Sequence, residues 1–263
     1  MYQTNYHRPS SLAEAAEAIA AAGGEGKYLS GGMTLIPTMK QRLASPTDLV
    51  DLRHINELKG IAVDGRRVRI GGGTTHAEIS ASEEIKAVCP GFAELAHLIG
   101  DPAVRHMGTI GGSVANFDPA ADYPAALLAM DATIHTTDRE IAASDFFLGL
   151  FETALEENEI VTAVSFEAPD ATGYEKFRNP ASRYAMCGTF VAKRGNDVKV
   201  GVTGASQSGA FLWEEGGEAL SNGGDLNALT VDAGDMLSDL HGSGAYRANL
   251  VKVLTKRAAA KAH

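Results

Sequence analysis

The sequence is poor in cysteine: Cys89 and Cys187 are the only two in 263 residues. Two thiols cannot hold an iron–sulfur cluster on their own, and they are too few for a disulfide framework. No apolar run approaches the roughly 18 residues that a membrane-spanning helix needs. Residues Met1 to Ser10 are polar and lack the apolar centre of a signal peptide, so a cytoplasmic location is expected. Cations are outnumbered, 23 Lys and Arg against 33 Asp and Glu, and the formal charge of −10 argues against a nucleic-acid-binding surface. Neither a Gly-x-Gly-x-x-Gly between strand and helix nor a Gly-Lys-Ser/Thr P-loop occurs, so a dinucleotide bound here would need a different fold. His97 and His106 lack carboxylate or cysteine company, which removes them as a metal site. No carboxylate pair and no nucleophile–base set stands out, so no catalytic residue and no metal ligand is assigned.

What is present reads as an α+β chain. Ser11-Leu12-Ala13-Glu14 has the form of a capping box, followed by Leu12, Ala15, Ala16 and Ile19 at helical spacing and a Gly23-Gly24 stop. A strand at 27–30, a helix at 35–42 with Pro37 in its first turn, and a strand at 48–52 give residues 1–55 the rhythm of a small parallel sheet. Beyond it, 56–165 reads as a larger mixed subdomain. It has a strand at 68–70, a helix capped by Thr75, a helix over 84–100, a helix over 123–130, and strands at 134–136 and 160–164. Ala168 to Gly173 is rich in turn formers and is the expected linker. The remainder, 174–263, carries strands at 189–193 and 198–202 and helical segments at 226–236 and 244–261.

Two segments hold paired glycines: Leu29-Ser30-Gly31-Gly32-Met33-Thr34-Leu35-Ile36 and Thr109-Ile110-Gly111-Gly112-Ser113. Each places its pair in a turn, the first at a strand-to-helix junction. Backbone without side chains lets a diphosphate approach, and successive amides can cradle its oxygens, aided by the helix start near Leu35. With 29 glycines in the chain, plain tight turns are the first reading of either pair taken alone, and the diphosphate role the second.

Taken together, these segments resemble a known family. Leu29 to Pro37 is similar to the Ala-Gly-Gly-x-Ser-Leu-Ile-Pro motif of the flavoprotein (medium) subunits of the carbon monoxide dehydrogenase and xanthine dehydrogenase family. Thr109 to Asp122 is similar to that family's Thr-Ile-Gly-Gly-Ser/Asn-x-Ala-Asn-x-Asp-Pro-Ala-Ala-Asp. Lys176 to Ala185 and Ser238 to Arg247 resemble two further family stretches. Departures are Met33, where the family has a polar residue; Phe117, where it has a small one; and Gly244-Ala245-Tyr246, which lacks a common glutamate.

The resemblance implies a vanillyl-alcohol oxidase/MurB-type FAD domain followed by a C-terminal antiparallel sheet with helices. FAD would lie between the two N-terminal subdomains, with both glycine pairs on its pyrophosphate. Asp122 would accept from ribityl or ribose hydroxyls, cap the following helix, or do both. Ile99 and Val161 would flank the flavin and adenine parts, Arg178 would stand near the flavin pyrimidine, and Tyr184 would pack beside the isoalloxazine. The implied activity is electron transfer within a molybdenum hydroxylase. A [2Fe–2S] small subunit and a molybdopterin large subunit would be separate chains, assembled as a dimer of heterotrimers, with an external acceptor such as a quinone or NAD⁺. Two other readings are a self-contained FAD oxidoreductase of MurB type and an interaction subunit without flavin.

Overall fold

The computed structural model describes residues 1–262. Its first lobe is a parallel sheet of β1 (Asn5–His7), β2 (Lys27–Leu29) and β3 (Asp48–Asp51) in the order β1-β3-β2, with helices α1 (Leu12–Ala21) and α2 (Leu35–Lys40). The Ser11 hydroxyl caps α1 by accepting from the Glu14 amide, while the Glu14 carboxylate returns to Ser10, one residue earlier than in a standard capping box. Ala15 and Ile19 of α1 bury against Val50, Leu52 and Ile55. The strand β1 lies in the stretch that reads only as a polar terminus, because its side chains are largely exposed and show no apolar alternation. Helix α2 stops two residues short of the expected end, where Arg42 turns left-handed at φ 64°.

The second lobe is built on strands β4 (Ile61–Asp64), β5 (Arg67–Gly71), β6 (Thr133–Thr136) and β7 (Glu140–Ala142), a separate short hairpin β8 (Phe147–Gly149) and β9 (Glu152–Thr153), and the central strand β10 (Val161–Glu167). The main sheet is antiparallel throughout, in the order β4-β5-β10-β6-β7. Helices α3 (His76–Ala81), α4 (Glu83–Val88), α5 (Pro90–His97), α6 (Pro102–Met107), α7 (Ile110–Asn116), α8 (Tyr123–Ala129) and α9 (Ala143–Phe146) complete it around a core that includes Ile70, Phe92, Tyr123 and Phe166. The single helix expected over 84–100 is two helices. Pro90 has no amide to continue α4 and disfavours helical backbone at Cys89, which sits at φ −150°, ψ 67°.

The C-terminal part is an antiparallel sheet of β11 (Ala171–Arg178), β12 (Ala185–Arg194), β13 (Asp197–Thr203) and β14 (Phe211–Leu212), with α10 (Glu214–Ser221) and α11 (Gly244–Lys261) packed on it. Strand β11 starts inside the expected linker: Ala171, Thr172 and Gly173 already pair with Lys193, Ala192 and Val191. Gly173 serves close packing rather than a turn, since a Cβ there would stand 2.1 Å from the Ala258 carbonyl of α11. The helix expected over 226–236 is a single 3₁₀ turn, Leu226–Ala228. Asp225 and Asp232 accept from the Asn227 and Gly234 amides, local bonds that compete with a helical ladder.

Parallel and antiparallel sheets with helices segregated around them make the chain α+β.

A candidate cofactor cleft between the lobes

A cleft of about 700 Å³ runs between the first and second lobes, and a turn of the C-terminal part, represented by Ser182, Arg183 and Tyr184, reaches over it. Leu29, Ser30, Gly31, Gly32, Met33, Thr34 and Leu35 form one wall; Thr109, Gly111, Gly112 and Ser113 form another; Ile99, Asp122, Val161 and Tyr184 also line it. Three expected residues are not among the lining residues. Ile36 packs beside Leu29, Met39 and Leu49, and Ile110 is fully buried in the second lobe's core. Arg178 stands exposed at the end of β11, beyond an irregularity in the β11–β12 register. The cation near the cleft on this side is Arg183 instead.

The first segment is an open loop from β2 into α2. Five consecutive amides, Gly31 to Leu35, donate to nothing among the described residues; the first internal bond is Ile36 to the Gly32 carbonyl at 3.0 Å. Gly32 makes this possible with φ +69°, a left-handed conformation that glycine takes without penalty. A row of unpaired amides turned by such a residue is an anion cradle, and it fits a diphosphate. Because α2 has only six residues, these amides rather than a long helix dipole supply the positive potential. Gly31 is needed for a different reason: a Cβ would stand 2.1 Å from the Met107 carbonyl, so its bare backbone lets the first lobe touch the end of α6. Ser30 and Thr109 complete the contact through a hydroxyl–hydroxyl bond of 2.8 Å.

The second glycine pair is not in a turn but in the first turn of α7, and its amides are already used. Ile110 donates to Thr74 at 3.1 Å and Gly111 to Gly72 at 2.8 Å. Gly112 donates to the capping Thr109 hydroxyl at 3.1 Å and Ser113 to the Thr109 carbonyl at 3.0 Å. Gly111 is where α7 meets the Gly72 backbone, 2.6 Å from the position of a Cβ to that carbonyl. The segment offers the cleft a close-packed wall and the Ser113 side chain, not a second row of free amides. Phe117 closes α7 in left-handed conformation, buried with its ring tilted against that of Phe147 at 4.6 Å, so the departure there is absorbed by packing.

Asp122 lies at the cleft, 4% exposed, and makes no cap hydrogen bond to α8. Its carboxylate accepts from the Tyr174 hydroxyl and from Lys176 Nζ, 2.8 Å from Oδ1 and 3.0 Å from Oδ2; the Lys176 side chain is 1% exposed. Two residues of β11 thus hold the acid in place.

Asp118, four residues earlier, also lines the cleft. One of its oxygens accepts from the Ala120 amide at 2.8 Å, and the other has no partner among the described residues. Burial and the neighbouring Asp122 raise its pKa, against the pull of the Ala120 amide. Burial first, then Asp118 and Asp122, raise the Tyr184 phenol as well.

Asp118, His76 and Arg183 are lining residues that carried no expectation; Gly72 and Gly73, part of a third glycine run that reads in sequence as a strand-end turn, line the cleft as well. The Asn116-x-Asp118 part of the second motif carried a signal for the first. The others depend on long-range packing.

A family model described as the FAD binding domain in molybdopterin dehydrogenase matches residues 2–168. The chain belongs to this family. Among relatives, the carbon monoxide dehydrogenase medium chain of Afipia carboxidovorans is 36% identical over 98% of this chain and 96% of its own length. The glyceraldehyde dehydrogenase medium chain of Sulfolobus acidocaldarius is 33% identical over 97% and 96%. A chain of the reconstituted CO dehydrogenase from Oligotropha carboxidovorans matches with a TM-score of 0.87 at 32% identity, covering 99% of this chain and 97% of that one. The chain is an FAD-binding oxidoreductase subunit of the same type as these medium chains, and FAD is its cofactor. Among the described residues, no helix is long and apolar enough to cross a membrane.

Proposed function

We propose that this chain is the electron-transfer subunit of a molybdenum hydroxylase complex. It would receive electrons from the [2Fe–2S] clusters of a small subunit, fed by a molybdopterin large subunit, and deliver them to an external acceptor. The observation that carries this is the run of five unpartnered amides at the mouth of a cleft shaped by three parts of the chain.

The amides of Gly31 to Leu35 hold the diphosphate. The free oxygen of Asp118 accepts from a ribityl or ribose hydroxyl, and Asp122, fixed by Lys176 and Tyr174, shapes the floor beside it. Thr109, Gly112 and Ser113 close the opposite wall. Ile99 and Val161 give apolar contact to the flat rings, and Tyr184 covers them. Bound there, FAD supplies the ability to collect single electrons and release them singly or in pairs.

The chain itself has little else to contribute to redox chemistry. Cys89 and Cys187 are buried, their thiols pushed up to about 11 and about 12 chiefly by burial, so both stay protonated and are poor ligands for a cluster. In this proposal the cluster and the molybdenum sit on separate chains, in an assembly proposed as a dimer of heterotrimers; the two thiols bear on the cluster alone. The division of this chain near residues 165–174 separates the FAD-binding part from a C-terminal part whose Ser182–Tyr184 turn roofs the cleft.

The test is an anaerobic assay of the FAD-loaded chain against carbon monoxide, aldehydes and nitrogen heterocycles, alone and with co-purified partners. The flavin should bleach only when partners are present. Bleaching by the lone chain at turnover rates would make it a self-contained oxidoreductase.

A further inference from the structure

One imidazole in the cleft is not explained by the roles above. His76 begins α3 and is 5% exposed. Its Nδ1 lies 3.1 Å from the hydroxyl of Tyr123, which is fully buried and has no other hydrogen-bond partner among the described residues. That hydroxyl has to donate, because with Nδ1 as donor the phenolic proton would be buried with nothing to accept it. A neutral imidazole that accepts at one ring nitrogen carries its proton on the other. Burial, and then the charge of Arg105, push the His76 pKa down to about 4, so the ring is neutral at ordinary pH. The proton is therefore on Nε2.

Nε2 has no protein partner among the described residues. It is not one of the fully buried polar atoms left without a partner, which are the hydroxyls of Thr47, Thr189 and Thr255 and the Arg247 Nε. Nε2 therefore keeps some accessible surface, on a side chain that lines the cleft. Two glycines set its distance from the amide cradle. A Cβ on Gly108 would stand 2.6 Å from Nε2, and a Cβ on Gly31 would stand 2.7 Å from the Gly108 α-carbon. The N–H is thus one glycine away from the first amide of the cradle.

We infer that His76 donates its Nε2–H to a diphosphate oxygen of the bound cofactor, as a side-chain member of the cradle formed by Gly31 to Leu35. The inference rests on the proposed seating of the diphosphate in that cradle. Tyr123 is the positioning residue: its hydroxyl bonds only the imidazole, and it fixes which nitrogen carries the proton. Gly108 keeps the approach open, since any side chain there would cover the N–H.

The experiment is equilibrium binding of FAD, ADP and riboflavin to the full chain and to His76→Phe, His76→Gln and Gly108→Ala. It is joined to ¹H–¹⁵N spectra that report the protonated ring nitrogen of His76 in the wild type. Wild-type binding of FAD and ADP is the control; its failure would sink the seating of the diphosphate rather than the role of His76. Given that control, His76→Phe should weaken FAD and ADP by about 10- to 100-fold, the size of a lost hydrogen bond to a charged group, and leave riboflavin unchanged. His76→Gln, which places an amide N–H near Nε2, should recover part of the loss, and Gly108→Ala should reproduce it. The spectra should show Nε2–H before FAD is added and a shift of that proton on binding. Unchanged ADP affinity in His76→Phe, a loss confined to riboflavin, or a proton on Nδ1 in the wild type would each overturn the inference; the spectra need no variant to fold.

Discussion

Single residues in this cleft mostly act through what they touch inside the protein. Asp122 was legible as an acid at the site, but its buried partner Lys176 was not, because a lysine on a strand gives no sign of burial until the strand is placed. Removing the acid leaves that ammonium 1% exposed, without a counter-charge and with only the Leu98 carbonyl at 3.2 Å to accept from it. Asp122→Ala should therefore destabilise the fold by about 3–5 kcal/mol, seen as a lower chemical-denaturation midpoint with or without FAD. An unchanged midpoint with weaker FAD binding would return Asp122 to a purely ligand-facing role.

Glu159, another lining residue, accepts from Arg139, which with lesser help from Glu156 and Thr136 holds its carboxyl down at about 2, against burial. The folded-state value lies below the ordinary 4.5, so the stabilisation is complete above that pH and is lost as pH falls from about 4.5 through about 2. In Glu159→Gln, the fall of unfolding free energy across that acid window should be shallower than in the wild type. Equal slopes would mean the pair contributes nothing to acid sensitivity.

At the scale of elements, the glycine pairs show how far local reading reaches. Both segments were recognisable from sequence, and both meet the cleft, yet only the first presents free amides. The second is helical because Thr109 caps it and because Gly72, distant in sequence, accepts the Gly111 amide. No local pattern contains that partner. Strand β11 was hidden for the same reason, its Gly173 being spent on contact with α11.

The turn between β11 and β12 is the element that most directly couples the C-terminal part to the cleft. Asn179 Oδ1 accepts from the Ala181 and Ser182 amides, and Arg183 is left-handed at φ 62°, which sets where Tyr184 stands. Asn179→Ala should loosen this roof and weaken FAD binding by about 3- to 10-fold, the scale of one neutral hydrogen bond, with little change in melting temperature. A titration followed by flavin fluorescence checks it; unchanged affinity would mean that the roof does not depend on this turn.

For the whole molecule, the α+β class and the alternation of strand and helix over 27–52 were readable because composition, helix caps and alternating strands are local. The association of three parts around one cleft came only with the family resemblance, since it depends on bare backbone of one part meeting another, Gly31 on the Met107 carbonyl and Gly201 on the Ala125 carbonyl. These contacts hold the lobes at the spacing that leaves the cradle open. The direct test is an equilibrium FAD titration of the purified chain beside Gly32→Val, whose side chain would be forced into left-handed backbone and placed 3.0 Å from Leu29 and Ile36 side-chain carbons. A diphosphate seated in this cradle implies one FAD per wild-type chain, released unmodified by acid, and binding weakened at least about 100-fold in a variant that still folds. Folded wild-type chain that takes up no FAD at saturating concentration, or a Gly32→Val chain that binds it equally well, would contradict it.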